Sequence, residues 1–155
     1  MVKGQRQTPV VNLQHKIPIP ISKIRSAVRR TIREIPRISA FTFDLSPLSL
    51  VFVGERRMRR LNKEYLGHDD VTDVITFNYG DTILNSRELS IMSPEIVICP
   101  AVAARNAKRY GNTLERELIL YVVHGILHLC GYDDRSPEDV KRMRKKETEI
   151  LKRIV

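Results

Sequence analysis

Apolar positions recur along this chain in two rhythms, and their order predicts an α+β fold. Residues 10–19 are apolar and β-branched but carry Pro18, with Pro20 just beyond, which suits an edge strand or an extended arm. From Pro20 onward Ile21, Ile24, Val28, Ile32 and Ile35 keep helical spacing, with Lys23, Arg25, Arg29, Arg30 and Arg33 opposite them. Residues 41–45 and 48–53 are strand-like, and Ser46 and Pro47 form the turn between them. Residues 55–66 read as a helix with Met58, Leu61 and Tyr65 inward and Gly67 as its C-terminal cap. Residues 71–79 form a strand rich in β-branched and aromatic side chains. Residues 95–99 form another, apolar enough to be central. Pro100 opens a helix at its first position and Gly111 closes it after Tyr110.

The next helix differs in being almost wholly apolar in its second half. Asn112 stands as its N-cap, with Glu115 three residues on in capping-box register. Residues 114–130 then read as a buried central helix, ended by a left-handed cap at Gly131. Ser136, Pro137 and Asp139 begin a last helix, on which Val140, Met143, Glu147, Ile150 and Ile154 share one side. Strands in the first two thirds and helices after them predict a mixed β-sheet with helices packed on it. The 155 residues suit one domain, 1–155, in which 1–19 is an extended arm or edge strand.

Composition excludes several classes. The longest apolar run, residues 118–123, is far short of the ~20 residues of a membrane span, so no membrane partner is expected. Residues 1–9 have no apolar core of a secretory leader. Cys99 and Cys130 lie in apolar surroundings and form no CxxC pair, as reduced core cysteines of a cytoplasmic protein do. Charge adds a functional hint, because 27 Lys and Arg face 18 Asp and Glu for a net charge of +9. The excess is concentrated: residues 1–40 hold nine basic side chains against Glu34 alone. Residues 71–100 run the other way, with Arg87 against Asp73, Asp81, Glu88 and Glu95. A clustered positive field attracts polyanions, nucleic acid above all, although the basic face of the helix after Pro20 reads equally as a solvated surface.

The chemistry lies in His124-Gly125-Ile126-Leu127-His128-Leu129-Cys130-Gly131-Tyr132-Asp133-Asp134. Histidines at i and i+4 project from one helix face with β-carbons about 6 Å apart, close enough for both rings to reach one ion. Gly131 allows the chain to reverse, so that Asp133 or Asp134 swings back as a third ligand. Two histidines and a carboxylate leave a fourth position open to water, the pattern of a catalytic metal. A lone histidine on an apolar helix is usually a hydrogen-bonded core residue, but a pair followed by a glycine break and two acids favours ligation. His68, beside Asp69 and Asp70, reads as a loop residue and substitute ligand, and His15 as an edge-strand residue. Cys130 points to another face and reads as core.

The segment from His124 to Asp134 closely resembles the His-Gly-x-Leu-His-Leu-x-Gly-Tyr-Asp-His signature of the YbeY family of bacterial endoribonucleases. Leu61-Asn62-Lys63-Glu64-Tyr65 is similar to that family's Leu-Asn-x-x-Tyr-Arg block. Asp70-Val71-Thr72-Asp73-Val74-Ile75-Thr76-Phe77 is similar to its Thr-Asp-Val-Leu-Ser-Phe block, and Glu95-Ile96-Val97-Ile98-Cys99 to its Gly-Asp-Ile-Val-Ile strand. Glu115-Arg116-Glu117-Leu118 leads into the histidines as in the family, and the likeness covers residues 40–150. The resemblance implies a zinc-dependent, single-strand-specific endoribonuclease of α+β architecture that processes ribosomal RNA. It also implies one zinc ion per chain and, as partners, small-subunit precursor particles and ribosomal protein. The family's metal ligands fall on His124, His128 and Asp134.

Two departures accompany the likeness. Asp134 stands where the family usually has His, and its negative charge predicts a less electrophilic ion. Leu66 stands where the family has an Arg that lines the groove, leaving Arg59 or Arg60, one to two helical turns back, as the arginines to replace it. Glu95 and Asp133 are the candidate proton acceptors or orienting groups. Two other functions fit parts of the pattern. A zinc peptidase needs a Glu beside the first His, and Gly125 occupies that position. A non-catalytic ribosome-assembly factor would use its metal only for structure.

Overall fold

The structure is a computed structural model and describes residues 7–35, 48–78 and 94–155. Its elements run β1 (Val10–Asn12), α1 (Ile21–Glu34), β2 (Ser49–Phe52), α2 (Glu55–Leu66), β3 (Val74–Phe77), β4 (Glu95–Ile98), α3 (Pro100–Tyr110), α4 (Leu114–Leu129) and α5 (Pro137–Ile154). The strands form one mixed sheet in the order β1-β2-β4-β3, in which β3 alone runs antiparallel to its neighbour. This is the expected α+β architecture, with residues 95–98 central and β1 on an edge among the described strands. The strand expected at 41–45, its turn at 46–47 and Tyr79 lie outside the described residues.

Strand alternation divides the core in two. Leu50, Phe52, Ile96 and Ile98 point to one face and are fully buried with Ile24 and Val28 of α1, Leu118, Ile126 and Leu127 of α4 and Met143 and Ile150 of α5. Val51, Val97 and Ile75 point to the other, under Met58 and Leu61 of α2 and Val102 of α3. The helix carrying the histidines is therefore the central one, with the sheet beneath it and α1, α3 and α5 around it. Gly125 permits that approach: a β-carbon there would lie 2.8 Å from Cγ2 of Ile96 and 2.9 Å from its Cδ1. Ile96 is itself fully buried and has nowhere to retreat. Gly125→Ala is expected to cost ~1–3 kcal/mol of stability through overpacking, read by denaturant unfolding.

Local signals placed most helix ends. Gly67 and Gly111 adopt left-handed caps with φ of 73° and 69°, and Pro100 occupies the first turn of α3. Ser136 Oγ accepts the Asp139 N–H at 3.1 Å to start α5. Two expectations shift. The N-cap of α4 is Thr113, whose hydroxyl accepts the Arg116 N–H at 3.2 Å, while Asn112 donates its side-chain amide to the buried Glu117 at 2.8 Å. Tyr65 is 58% exposed, its ring edge-on at 5.0 Å against Phe77 of β3, the outermost strand on that side among the described residues. Asn62 is buried in its stead and donates to the Asp70 carbonyl at 3.0 Å, fixing the turn after α2. No helix among the described residues is long and apolar enough to cross a membrane.

Candidate metal centre

His124 and His128 stand one turn apart near the end of α4, their rings edge to face at 4.6 Å and 81°. Their Nε2 atoms converge to 3.0 Å. Beyond Leu129 the helix closes on itself: Gly131, at φ 94°, turns the chain, and the Tyr132 N–H donates to the Leu127 carbonyl at 3.1 Å. Asp133 then accepts the Asp134 N–H at 2.8 Å, which shapes the return. The outcome is an Asp134 Oδ2 that lies 3.6 Å from Nε2 of His124 and 3.5 Å from Nε2 of His128. Ligands held at ~2.0–2.2 Å around a tetrahedral ion are separated by about 3.3–3.6 Å. Two edges of this triangle match that span and the His–His edge is a few tenths of an ångström short, so the donors fit an ion of zinc's size. Asp134 is the most exposed of the three at 46%, so the centre opens to solvent on its side.

A fourth residue completes the arrangement. Glu147, from the middle of α5, brings Oε1 to 2.5 Å from Nδ1 of His124 and is itself only 13% exposed. With Nδ1–H donating to that carboxylate, the Nε2 lone pair of His124 faces the open side. Burial alone would lower the His124 pKa, but the hydrogen bond and charge of Glu147, with Asp73 and Asp134 behind them, outweigh it and raise it. His128 goes the other way, lowered by burial and by the neighbouring imidazole. The apolar spacing of α5 puts Glu147 on its inner side and gives it no role. Its signal was a carboxylate between Met143 and Ile150 on a buried stripe, tolerable only with a partner.

The remaining candidates separate cleanly. Among the described residues the donors that draw together are those of His124, His128 and Asp134; His68 and Asp133 do not join them. His68 is exposed after α2, and His15 is exposed beyond the end of β1. Glu95 alternates with Ile96, which packs against Gly125, and so it points to the sheet face away from α4. Burial raises its pKa there, but it cannot orient the histidines. Asp133 has both oxygens engaged, one by the Asp134 amide and one by Arg135 at 3.3 Å, and serves the turn. Cys130 is buried away from the site. Arg59 is tied to Asp69 at 2.9 Å, whereas Arg60 is exposed, as is Leu66. Gly125 stands where a zinc peptidase has its glutamate, and a β-carbon there would meet the Ile96 side chain.

Comparison with known proteins agrees with this layout. The family described as Endoribonuclease YbeY matches residues 9–155. A relative of that name from Chlorobium phaeovibrioides is 37% identical over 134 residues, covering 86% of this chain and 82% of its own. Another, from Pelotomaculum thermopropionicum, is 35% identical over 147 residues and covers 94% and 95%. A solution structure of a Thermotoga maritima protein superposes with a TM-score of 0.58 at 27% identity, over 95% of this chain and 88% of that one.

Proposed function

Since this chain belongs to the Endoribonuclease YbeY family, we propose that it is a metal-dependent, single-strand-specific endoribonuclease of ribosomal RNA processing, with zinc held by His124, His128 and Asp134. The observation that carries the metal assignment is the convergence of those three donors within 4.8 Å of one another. When bound, such an ion supplies Lewis-acid polarisation of a phosphoryl oxygen and activation of water.

The chain's own residues prepare for that chemistry. Gly131 and Asp133 bring the Asp134 carboxylate back over the two imidazoles. Glu147 holds a proton on Nδ1 of His124 and so keeps its Nε2 free to ligate. The basic surface attracts the RNA backbone, which makes affinity fall steeply with salt. The working location is the cytoplasm and the partners are small-subunit precursor particles with their RNA and protein.

The test is direct. Protein purified without chelator should contain about one zinc per chain by mass spectrometry, and cleave single-stranded RNA. A strong chelator should abolish cleavage, and added zinc should restore it. Metal-free protein that cleaves equally well would end the metal-dependent reading. Metal-loaded protein that never cleaves, yet binds small-subunit particles, would make it an assembly factor with a structural ion.

A further inference from the structure

Two helices far apart in sequence, α1 and α5, meet in the fold at their C-terminal ends. Arg30 of α1 donates to the Ile154 carbonyl at 2.7 Å and to that of Arg153 at 3.3 Å, and Arg153 pairs with Glu34 at 2.6 Å. Together these helices hold twelve Lys and Arg against five Asp and Glu, a net +7 of the whole chain's +9.

The cations divide into two groups. Lys23 is bound to Glu115 at 2.9 Å, Arg25 to the Thr8 carbonyl at 3.3 Å, and Arg30 and Arg153 to the junction itself. Arg142 and Lys146 are held by Asp139 and Glu149, each at 2.7 Å. Arg29 and Arg33 of α1 and Lys141, Arg144, Lys145 and Lys152 of α5 are exposed, and their side chains have no hydrogen-bond or ion-pair partner among the described residues. Arg33 and Lys152 lie in last turns, where a cation already opposes the helix dipole. Of the other four, Lys145 only shares the field of Glu149, which Lys146 already holds, and Arg29, Lys141 and Arg144 have no such local reason. From Lys141 to Lys152 the free cations extend along ~16 Å of helix. Neither helix carries an aromatic residue on which an unpaired base could stack. The same α5 reaches the metal centre through Glu147, one turn beyond Arg144.

We infer that the joined α1/α5 face binds the phosphate backbone of a double-helical RNA segment flanking the strand presented to the metal centre. It rests on the endoribonuclease reading for the identity of the polyanion. Duplex RNA is recognised by shape and phosphates rather than by its bases, which is what a cationic, aromatic-free surface offers. The contact is therefore independent of sequence and separate from the metal centre.

The test compares the full-length protein with the triple variant Arg29→Gln, Lys141→Gln, Lys145→Gln, none of which touches the metal centre. Binding to an RNA hairpin with a short single-stranded tail is measured across salt concentrations, beside cleavage of a short unpaired oligonucleotide. The variant should bind the hairpin about 10–100-fold more weakly, with the log–log salt slope shallower by roughly 2–3. It should cleave the short oligonucleotide at the wild-type rate. Unchanged hairpin affinity and slope would overturn the inference. An equal loss of affinity for an unpaired strand of matched length would also overturn it, by making the occupant single-stranded. If the wild type leaves the oligonucleotide intact, the nuclease reading fails, and the hairpin measurement still decides whether this face binds duplex RNA.

Discussion

His128→Ala and Asp134→Ala are each expected to leave the purified protein without metal and its RNA cleavage at background. The three donors sit on two structural units, a rigid helix turn and the chain that folds back over it. Removing one leaves two donors and two vacant positions, and the affinity should fall by more than the ~10–100-fold that loss of a residue supporting a ligand costs. Neither variant should unfold the protein, because His128 is 24% exposed and Asp134 46% exposed. Hairpin binding, governed by cations on other elements, should persist in both. Mass spectrometry, an RNA cleavage assay and a thermal melt on the same preparation check all parts. Loss of metal with cleavage intact would show that the ion takes no part in cleavage. Metal retained in Asp134→Ala would move the third ligand elsewhere, although no other described side chain joins the cluster. Asp134→His keeps three donors and removes one negative charge, so it should retain the ion, make it more electrophilic, and shift the rise of activity to lower pH.

How much of this was legible in the sequence depended on the distance between partners. The histidine pair, the glycine that ends α4 and the acids after it lie within eleven residues, and local rules of helix spacing and capping were enough to bring them together. The central strand and the buried helix were equally readable, since the strand is apolar after Glu95 and the helix is apolar in its second half apart from the histidines. Glu147 is 23 residues from His124, and only the docking of α5 on α4 joins them. Glu95 looked available because a strand alternates faces and the sequence does not say which face α4 covers. Ile96 against Gly125 settles that parity and turns Glu95 away. The basic stripe of α1 was visible by period alone. Which of its cations are consumed internally, as Arg30 is by the end of α5, became visible only in the fold.

Glu147 carries the second large expectation. A partly buried carboxylate 2.5 Å from Nδ1 dictates which nitrogen of His124 bears the proton. Without it the imidazole can protonate Nε2 or turn, and the ligand is no longer held ready. Glu147→Ala should therefore weaken zinc binding about 10–100-fold, or roughly 1.4–2.7 kcal/mol, measured by competition with a chromophoric chelator. Glu147→Gln separates orientation from charge, because its amide oxygen can still accept the Nδ1 proton. The sign of its pH dependence follows from the raised His124 pKa. A zinc ion must displace the proton that Glu147 helps His124 retain, so wild-type affinity falls as the pH drops through that raised pKa. Removing the charge makes the nitrogen a weaker base, which lowers affinity for both the ion and the competing proton. The wild-type advantage over Glu147→Gln should accordingly be largest near pH 8 and shrink toward pH 6, bracketing the ordinary histidine pKa of about 6.5. A carboxylate that only fastened α5 to α4 would give equal zinc affinities at every pH once both proteins were folded, and a thermal melt of the metal-free proteins establishes that condition.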